Sequence, residues 1–158
     1  METKTKNKDL KKDSTKFGPV SNTSQTFLFR FGIPGFENLQ KFVFQSLDKY
    51  PPFQLFRSVE ETDLNMLVLN AQYIKELEKI EIPHQELNKI GAEDKNQIDM
   101  YVILRVRPNT KQFVANTKAP LIVNGAQNLG NQIMLEDEEG LSSAFPLAIS
   151  KNKSVKCK

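Results

Sequence analysis

The side chains that could perform catalysis are few in this sequence. The single histidine, His84, has no second histidine with which to form a metal site, and no serine or cysteine stands near it as a nucleophile. Ser142 and Ser143 lack the G-x-S-x-G context of an activated serine. Cys157 is the only cysteine, so neither an internal disulfide nor a cysteine-based metal cluster can form within the chain. We therefore expect no enzymatic activity and no cofactor.

The longest run of acids is Glu136, Asp137, Glu138 and Glu139. Adjacent carboxylates at the end of a strand do not converge on one point, which paired acid and base catalysis requires. Calcium needs spaced oxygen ligands, and the run lacks the order of an EF-hand loop. A solvated turn is the favoured interpretation, and a surface for a basic partner is the functional alternative.

The stretch "GIPGFE" places Gly32, Pro34 and Gly35 between two aromatic runs. A phosphate-binding loop of the Walker type needs a Lys-Ser or Lys-Thr pair before a helix, and this stretch has neither. Its two glycines can adopt positive φ and its proline fixes φ, which predicts a rigid chain reversal. Ile33 and Phe36 are apolar residues on this turn, and packing in the core is favoured over contact with a partner.

Alternating apolar residues predict strands along most of the chain. In "TFLFRF" the side chains of Phe27, Phe29 and Phe31 share one face. The other predicted strands are "KFVFQSL", "FQLFRSV", "NMLVLNA", "DMYVILRVRP", "QFVANT", "APLIVN" and "NQIMLED". Asn124-Gly125 and Leu129 to Asn131 are predicted as turns between the last strands.

One segment, "IPHQELNKIGAED", predicts a helix, because Pro83 suits its entry and Gly91 its exit. The segment "QYIKELEKIEI" fits a short helix or an edge strand equally well. Short strands at regular spacing with one small helix indicate an all-β barrel or sandwich. We predict a small antiparallel β-barrel of about seven or eight strands with one short helix.

Charge is distributed unevenly along the chain. Residues 1–25 carry six lysines and three acids, and residues 150–158 carry four lysines and no acid. The body between them, residues 26–149, holds 12 basic and 16 acidic residues. We therefore expect two basic, disordered tails on a mildly acidic domain that prefers a basic partner over nucleic acid.

The sequence has neither an apolar segment of about 20 residues nor a signal sequence. We therefore expect the chain to be cytoplasmic and to bind no membrane.

Three segments occur in a recognisable order: "GIPGFENLQKFVF", "SVEETDLNMLVLNA" and "VANTKAPLIVNGAQNLGNQIMLED". Over about Phe27 to Leu147 the chain resembles the family of the flagellar assembly factor FliW. The most specific segments are Gly32 to Glu37 and Ala115 to Asn124. Two positions depart from the family pattern, because Asn70-Ala71 replaces Asp-Pro and "LSSAFPL" replaces an ending that contains Arg-His.

The resemblance implies a β-barrel that works by binding proteins and has no enzymatic activity. Members of the family bind flagellin and the RNA-binding translational regulator CsrA, whose repression of flagellin translation they antagonise. When flagellin accumulates it occupies the factor and CsrA is released; when flagellin is exported, the factor sequesters CsrA again. The acidic body agrees with a basic partner of this kind.

Candidate partner-binding residues come from three segments: Ile33, Phe36, Asn116, Lys118, Pro120, Glu136, Asp137, Glu138 and Glu139.

The alternative function is an OB-like nucleic-acid-binding module, in which the aromatic faces of "TFLFRF" and "KFVFQ" stack on bases. Alternating phenylalanines in a small barrel belong more often to the core, which favours the protein-binding hypothesis.

Overall fold

Short strands dominate the structure, a computed structural model that describes residues 24–135, 139–149 and 155–156. In chain order the strands are β1 (Thr26–Leu28), β2 (Lys41–Ser46), β3 (Gln54–Ser58), β4 (Asn65–Asn70), β5 (Asp99–Val106), β6 (Phe113–Ala115), β7 (Leu121–Asn124), β8 (Leu129–Gln132), β9 (Phe145–Pro146), β10 (Ala148–Ile149) and β11 (Val155–Lys156). The helical elements within the described ranges are α1 (His84–Lys89) and the 3-10 helices Ala71–Tyr73, Lys75–Leu77 and Lys95–Gln97.

Seven of the strands close into a barrel. Their order is β4-β3-β2-β1-β8-β7-β5, and β5 pairs back to β4. The predicted small barrel is confirmed, with one difference in strand direction. Strands β1 and β8 pair in parallel, with Leu28 opposite Leu129, while the other six pairings are antiparallel. A closed ring with an odd number of strands cannot alternate in direction all the way round, so at least one parallel pair is required.

Strand β5 belongs to the barrel and to an extension of its sheet. Its first half, Asp99 to Tyr101, pairs with β7, and its second half, Leu104 to Val106, pairs with β6. Strand β6 then pairs with β9 outside the barrel, and β10 pairs with β11 separately. The long β-branched run of β5 therefore connects the barrel to the carboxyl-terminal part of the chain.

An aromatic core fills the inside of the barrel. The rings of Phe44 on β2 and Tyr101 on β5 stack with centroids 4.4 Å apart, although β3 and β4 separate their strands in the sheet order. The contact must therefore cross the interior. The buried residues of this barrel core are Phe27, Phe29, Ile33, Phe42, Phe56, Val68, Leu121 and Val123. Edge-to-face and stacked rings suit a small interior, because large side chains fill it without leaving voids.

A second core covers the outer face of one side of the barrel. The opposite faces of β4, β5 and β7 contribute Leu69, Val102 and Ile122 to it. Helix α1 adds Leu87, and the 3-10 helix Lys75–Leu77 adds Leu77. These strands are therefore buried on both faces, which explains why their sequences are more continuously apolar than a half-exposed strand requires.

Several local predictions have clear outcomes. The predicted helix is confirmed as α1, which follows Pro83 and ends before Gly91 at φ 71°. The segment "QYIKELEKIEI", for which a short helix and an edge strand were both open, contains the end of one 3-10 helix and the whole of another. It forms neither an α-helix nor a strand. The turn predicted at Leu129 to Asn131 is wrong, since these residues begin β8.

The aromatic strand "TFLFRF" is shorter than predicted. Strand β1 ends at Leu28, and the chain turns so that Phe31 is 62% exposed instead of sharing the buried face of Phe27 and Phe29. The positive φ of Gly32 ends the period-2 pattern here. The predicted tails, 1–25 and 150–158, lie outside the described residues except for positions 24–25 and 155–156, and so do Glu136, Asp137 and Glu138.

Candidate protein-interaction surface

The Gly-Pro-Gly stretch is a tight turn after β1. Gly32 and Gly35 have φ of 65° and 89°, a region that favours glycine. The amide N of Phe36 donates to the carbonyl O of Ile33 at 2.8 Å and closes the turn. A Cβ on Gly32 would lie 2.5 Å from Cα of Glu37, so the backbone passes too close for any side chain. The sequence-based interpretation as a rigid reversal therefore has a steric basis.

The apolar residues of this turn face different surroundings. Ile33 is 1% exposed and packs in the barrel core, so its side chain has no surface to offer a partner. Phe36 is 37% exposed, and Phe31, which directly precedes the turn, is 62% exposed. The turn thus inserts the side chain of Ile33 into the barrel and leaves the rings of Phe31 and Phe36, before and after Ile33 in the chain, exposed.

The segment from Asn116 to Pro120 crosses from β6 to β7 and is held from two sides. Its carbonyls at Lys118, Ala119 and Pro120 accept hydrogen bonds from Leu135 N, Gln132 Nε2 and Ile133 N at 2.7, 2.9 and 3.0 Å. Pro120 is buried, and Asn116 and Lys118 are half-buried. Because its backbone is satisfied by neighbouring elements, most of this family-specific segment has a structural role.

The chain on both sides of the acidic run contacts this segment. Leu135, which precedes the run, bonds to Lys118, while Thr117 exchanges hydrogen bonds with the backbone of Ser142 beyond it. Glu139 is exposed, and Glu136, Asp137 and Glu138 lie outside the described residues. The structure therefore brings Asn116 to Pro120 and the two flanks of the acidic run together.

A shallow groove lies beside the turn. Its volume is about 320 Å³, and it is lined by Phe31, Glu86, Lys89, Asn131, Gln132, Ile133 and Met134. The side chains of Phe31 and Met134 are 62% and 57% exposed, and both line this groove. Because two large apolar side chains are exposed at one groove, we consider this groove a candidate contact site. We call these seven residues the Phe31–Met134 surface.

Polar contacts connect the walls of the Phe31–Met134 surface. The ammonium of Lys89 lies 5.8 Å from the centre of the Phe31 ring and 3.4 Å from Oε1 of Glu86. The same Oε1 accepts from Nδ2 of Asn131 at 3.4 Å. Each contact is weak, since exposed ion pairs and cation–π pairs contribute about 1 kcal/mol or less. Together they join the turn, helix α1 and strand β8 in one arrangement.

Sequence reasoning had missed the most exposed members of this surface. The alternation in "TFLFRF" predicts Phe31 on the same face as Phe27 and Phe29, and the run "NQIMLED" predicts a strand through Met134. Met134 lies two residues beyond the end of β8, between the buried residues Ile133 and Leu135, and this alternation leaves its side chain on the exposed side. The signal that could have identified Phe31 is its position directly before Gly32, where a positive φ interrupts a strand.

The residues considered for catalysis form no reactive arrangement in the structure. His84 is exposed at the start of α1. The hydroxyl of Ser142 accepts a hydrogen bond from the amide N of Ala144 at 3.0 Å, as in a local turn. In the described part of the chain, no three His, Cys, Asp or Glu side chains are grouped to hold a metal ion, and no helix has the length and hydropathy of a membrane span.

The nucleic-acid alternative loses most of its proposed contact surface, since Phe31 is the one exposed ring on its two aromatic faces. The rings of Phe27, Phe29 and Phe42 are at most 7% exposed, because they point into the barrel. A base cannot stack on a ring that other rings already cover.

Comparisons with known proteins agree with this fold. A protein-family model described as "FliW protein" matches residues 11–147. The Flagellar assembly factor FliW of Alkaliphilus metalliredigens is 33% identical over 124 residues, which cover 77% of this chain and 76% of that protein. The Flagellar assembly factor FliW of Caldicellulosiruptor bescii is 32% identical over 126 residues, which cover 79% and 82%. A crystal structure of the flagellar assembly factor FliW superposes with a TM-score of 0.70 at 24% identity, over 80% of this chain and 87% of that one. The chain belongs to the FliW family.

Proposed function

We propose that this protein is a cytoplasmic flagellar assembly factor that binds flagellin and a CsrA-type translational regulator and catalyses no reaction. Membership of the FliW family supports the flagellar role. In this mechanism, free protein sequesters the regulator and flagellin translation continues. Accumulated flagellin displaces the regulator, which then represses translation.

The observation that carries the binding role is the exposure of Phe31 and Met134 beside one groove. A partner that covers these two apolar side chains gains free energy from removing their surface from water. The groove lies between the two segments by which the sequence resembles its family, because Phe31 precedes the Gly32 turn and Gln132 bonds to Ala119. We therefore place a partner contact at the Phe31–Met134 surface.

Charge supports a basic partner such as a regulator that binds RNA. The body of the chain, residues 26–149, has four more acidic than basic residues, 16 against 12. A protein that binds RNA phosphates is basic at its binding face, and an acidic body attracts it at long range. Attraction of this kind mainly raises the association rate and depends on salt.

A binding assay with purified flagellin and purified CsrA-type regulator tests the assignment of the surface. We expect Phe31→Ser and Met134→Ser to weaken binding of at least one partner by about tenfold or more, as for a buried anchor residue. The matched control is Val106→Ser, because Val106 is also exposed, at 44%, but lies at the end of β5 outside the groove. Wild-type affinity of both surface variants for both partners would exclude this surface from the binding site.

A further inference from the structure

A second groove lies at the opposite end of the barrel from the Phe31–Met134 surface. Because Leu28 pairs with Lys41, Phe31 follows β1 beyond the Lys41 end of β2. Ser46, at the other end of β2, lines this second groove. It consists of two concavities of about 480 and 430 Å³ that share Asn70 and Gln72 as a common wall. We call the two concavities together the end groove.

The strand ends and the following loops place carboxylates around the end groove. Asp99 begins β5, Asp48 follows β2, and Glu78 follows the 3-10 helix Lys75–Leu77; all three are exposed and line the concavities. Among the described residues the only ion pair joins Lys89 to Glu86. None of these three carboxylates therefore forms an ion pair with a described residue. Burial raises the pKa of the Tyr101 hydroxyl, and the negative charge of Asp99 adds to that rise.

One basic residue, Lys95, also lines the end groove, but its ammonium is already engaged. It donates to the carbonyl O of Ile80 at 2.5 Å and to that of Glu78 at 3.2 Å. These bonds hold the ammonium against the backbone below the 3-10 helix. The lining therefore carries three carboxylates and one ammonium, so acidic groups outnumber basic groups in it.

A tyrosine ring in the same groove also favours a cationic ligand. Tyr73 is 36% exposed and lines the groove, and the ring face of a tyrosine attracts ammonium and guanidinium groups.

We propose that the end groove binds an extended segment of a protein partner that carries arginine or lysine side chains. Two adjoining concavities suit several residues in an extended conformation, with a cationic side chain in each. Phosphate groups would be repelled by the same carboxylates, which disfavours RNA as the occupant. This inference concerns residues at the other end of the barrel from the Phe31–Met134 surface, so either assignment can fail while the other stands.

Fluorescence anisotropy with the full-length protein and a labelled peptide tests the proposal. The probe is a dodecapeptide that alternates arginine with serine, compared with its glutamate counterpart and with an oligouridine of the same length. We expect saturable binding of the arginine peptide that weakens as salt is raised. The double substitution Glu78→Gln with Asp99→Asn should weaken it by about three- to tenfold, because two exposed carboxylates are removed.

The matched control is Glu61→Gln, compared with Asp99→Asn alone, since each removes one exposed carboxylate. Glu61 lies in the β3–β4 turn, at the barrel end away from the end groove. An equal loss of affinity in both single variants would reduce the interaction to general charge attraction and overturn the proposal. Equal or tighter binding of the glutamate peptide or of oligouridine would overturn it as well.

Chemical-shift mapping gives a second readout that does not depend on a substitution. Titrating the unlabelled arginine peptide should perturb the side-chain amide signals of Asn70, Gln72 and Gln54, which line the end groove. Perturbations concentrated at Phe31 and Met134 instead would assign the peptide to the other surface and contradict the proposal.

Discussion

The ring of Phe29 occupies the space into which a side chain on Gly130 would extend. A Cβ on Gly130 would lie 2.5 Å from Cε1 and Cζ of Phe29 and 3.0 Å from Cγ1 of Val123. Strand β8 pairs with β1 in parallel at Leu28 and Leu129, the residues next to this pair. Because Gly130 has no side chain, the ring of Phe29 can fill the barrel interior beside the parallel pair of β1 and β8, which closes the barrel.

Gly130→Ala is expected to destabilise the protein by about 1–3 kcal/mol, the usual effect of overpacking a core. The ring of Phe29 cannot move away easily, because it contacts Phe42 and Phe56 with centroids 5.4 and 5.2 Å away. Urea unfolding measures the loss. Gly125→Ala is the control, since a Cβ there has its nearest contact at 3.7 Å, and its stability should change by less than about 1 kcal/mol. Equal stability of both variants would contradict the close contact.

Substitutions at the two glycines of the Gly-Pro-Gly turn should have unequal effects. Gly32 and Gly35 both have positive φ, so each alanine variant carries about 1 kcal/mol of backbone strain. Only at Gly32 does a Cβ meet backbone, at 2.5 Å from Cα of Glu37, whereas nothing lies within 4 Å at Gly35. We expect Gly32→Ala to lower the free energy of unfolding clearly more than Gly35→Ala. Thermal unfolding measures this difference. Identical unfolding curves for the two variants would show that the turn relaxes enough to accommodate the Cβ at position 32.

Glu60 should make stability depend on pH. Its carboxylate accepts from the amides of Gln40 and Lys41 at 2.7 and 3.0 Å, and these two bonds lower its pKa below 4.5 in the folded protein. A lowered carboxyl pKa contributes stability at pH values above that of the unfolded chain, and the contribution is lost as pH falls through the folded pKa.

Wild type should therefore be more stable than Glu60→Gln at about pH 7, and the difference should shrink below about pH 4.5. Guanidinium unfolding of both proteins across this pH range measures it. Glu61→Gln serves as the control, because the hydrogen bond at Glu61 involves its amide N and Ser58 Oγ, at 2.8 Å. A difference between wild type and Glu60→Gln that stays constant with pH would contradict the role of the charge.

Arg57 is a cation buried on the outer face of β3. It is 2% exposed, and its Nε and Nη1 donate to Asn65 Oδ1 and Gln45 Oε1 at 2.7 and 2.6 Å. Burial lowers its pKa, because desolvation disfavours the charged form. We expect Arg57→Ala to cost about 2–4 kcal/mol through lost packing and hydrogen bonds.

Arg57→Met should cost less than Arg57→Ala, since a long apolar side chain restores the packing and removes the buried charge. Chemical unfolding of the two variants side by side measures the difference. If methionine destabilises as much as alanine, the hydrogen bonds to Asn65 and Gln45 are the larger contribution.

The barrel and its helix could be predicted because their signals are local. Alternation predicts β2 and β3, an apolar run and a β-branched run predict β4 and β5, and Pro83 with Gly91 encloses α1. The parallel pairing of β1 with β8 could not be predicted, since it joins segments about 100 residues apart and leaves no period in either. Gly130 was interpreted as a turn residue because glycine is common in turns, and only the position of Phe29 explains it within a strand.

The candidate site could be predicted only in part. The Gly32 turn and the Asn116 to Pro120 segment are indeed close to the exposed groove, yet most of their own residues are structural. Ile33 and Pro120 are buried, while Phe31 and Met134 are exposed, and the exposure of Phe31 depends on where strand β1 ends. Strand ends are set by contacts between elements, which a single sequence does not display.

Competition between the two proposed partners is the most direct test of the proposed function. Calorimetric titration of a purified CsrA-type regulator into the free protein, and into protein saturated with purified flagellin, measures the coupling between them. We predict binding to the free protein and a loss of affinity of at least about tenfold when flagellin is bound. Equal affinity for the free and the flagellin-saturated protein would contradict the partner switch.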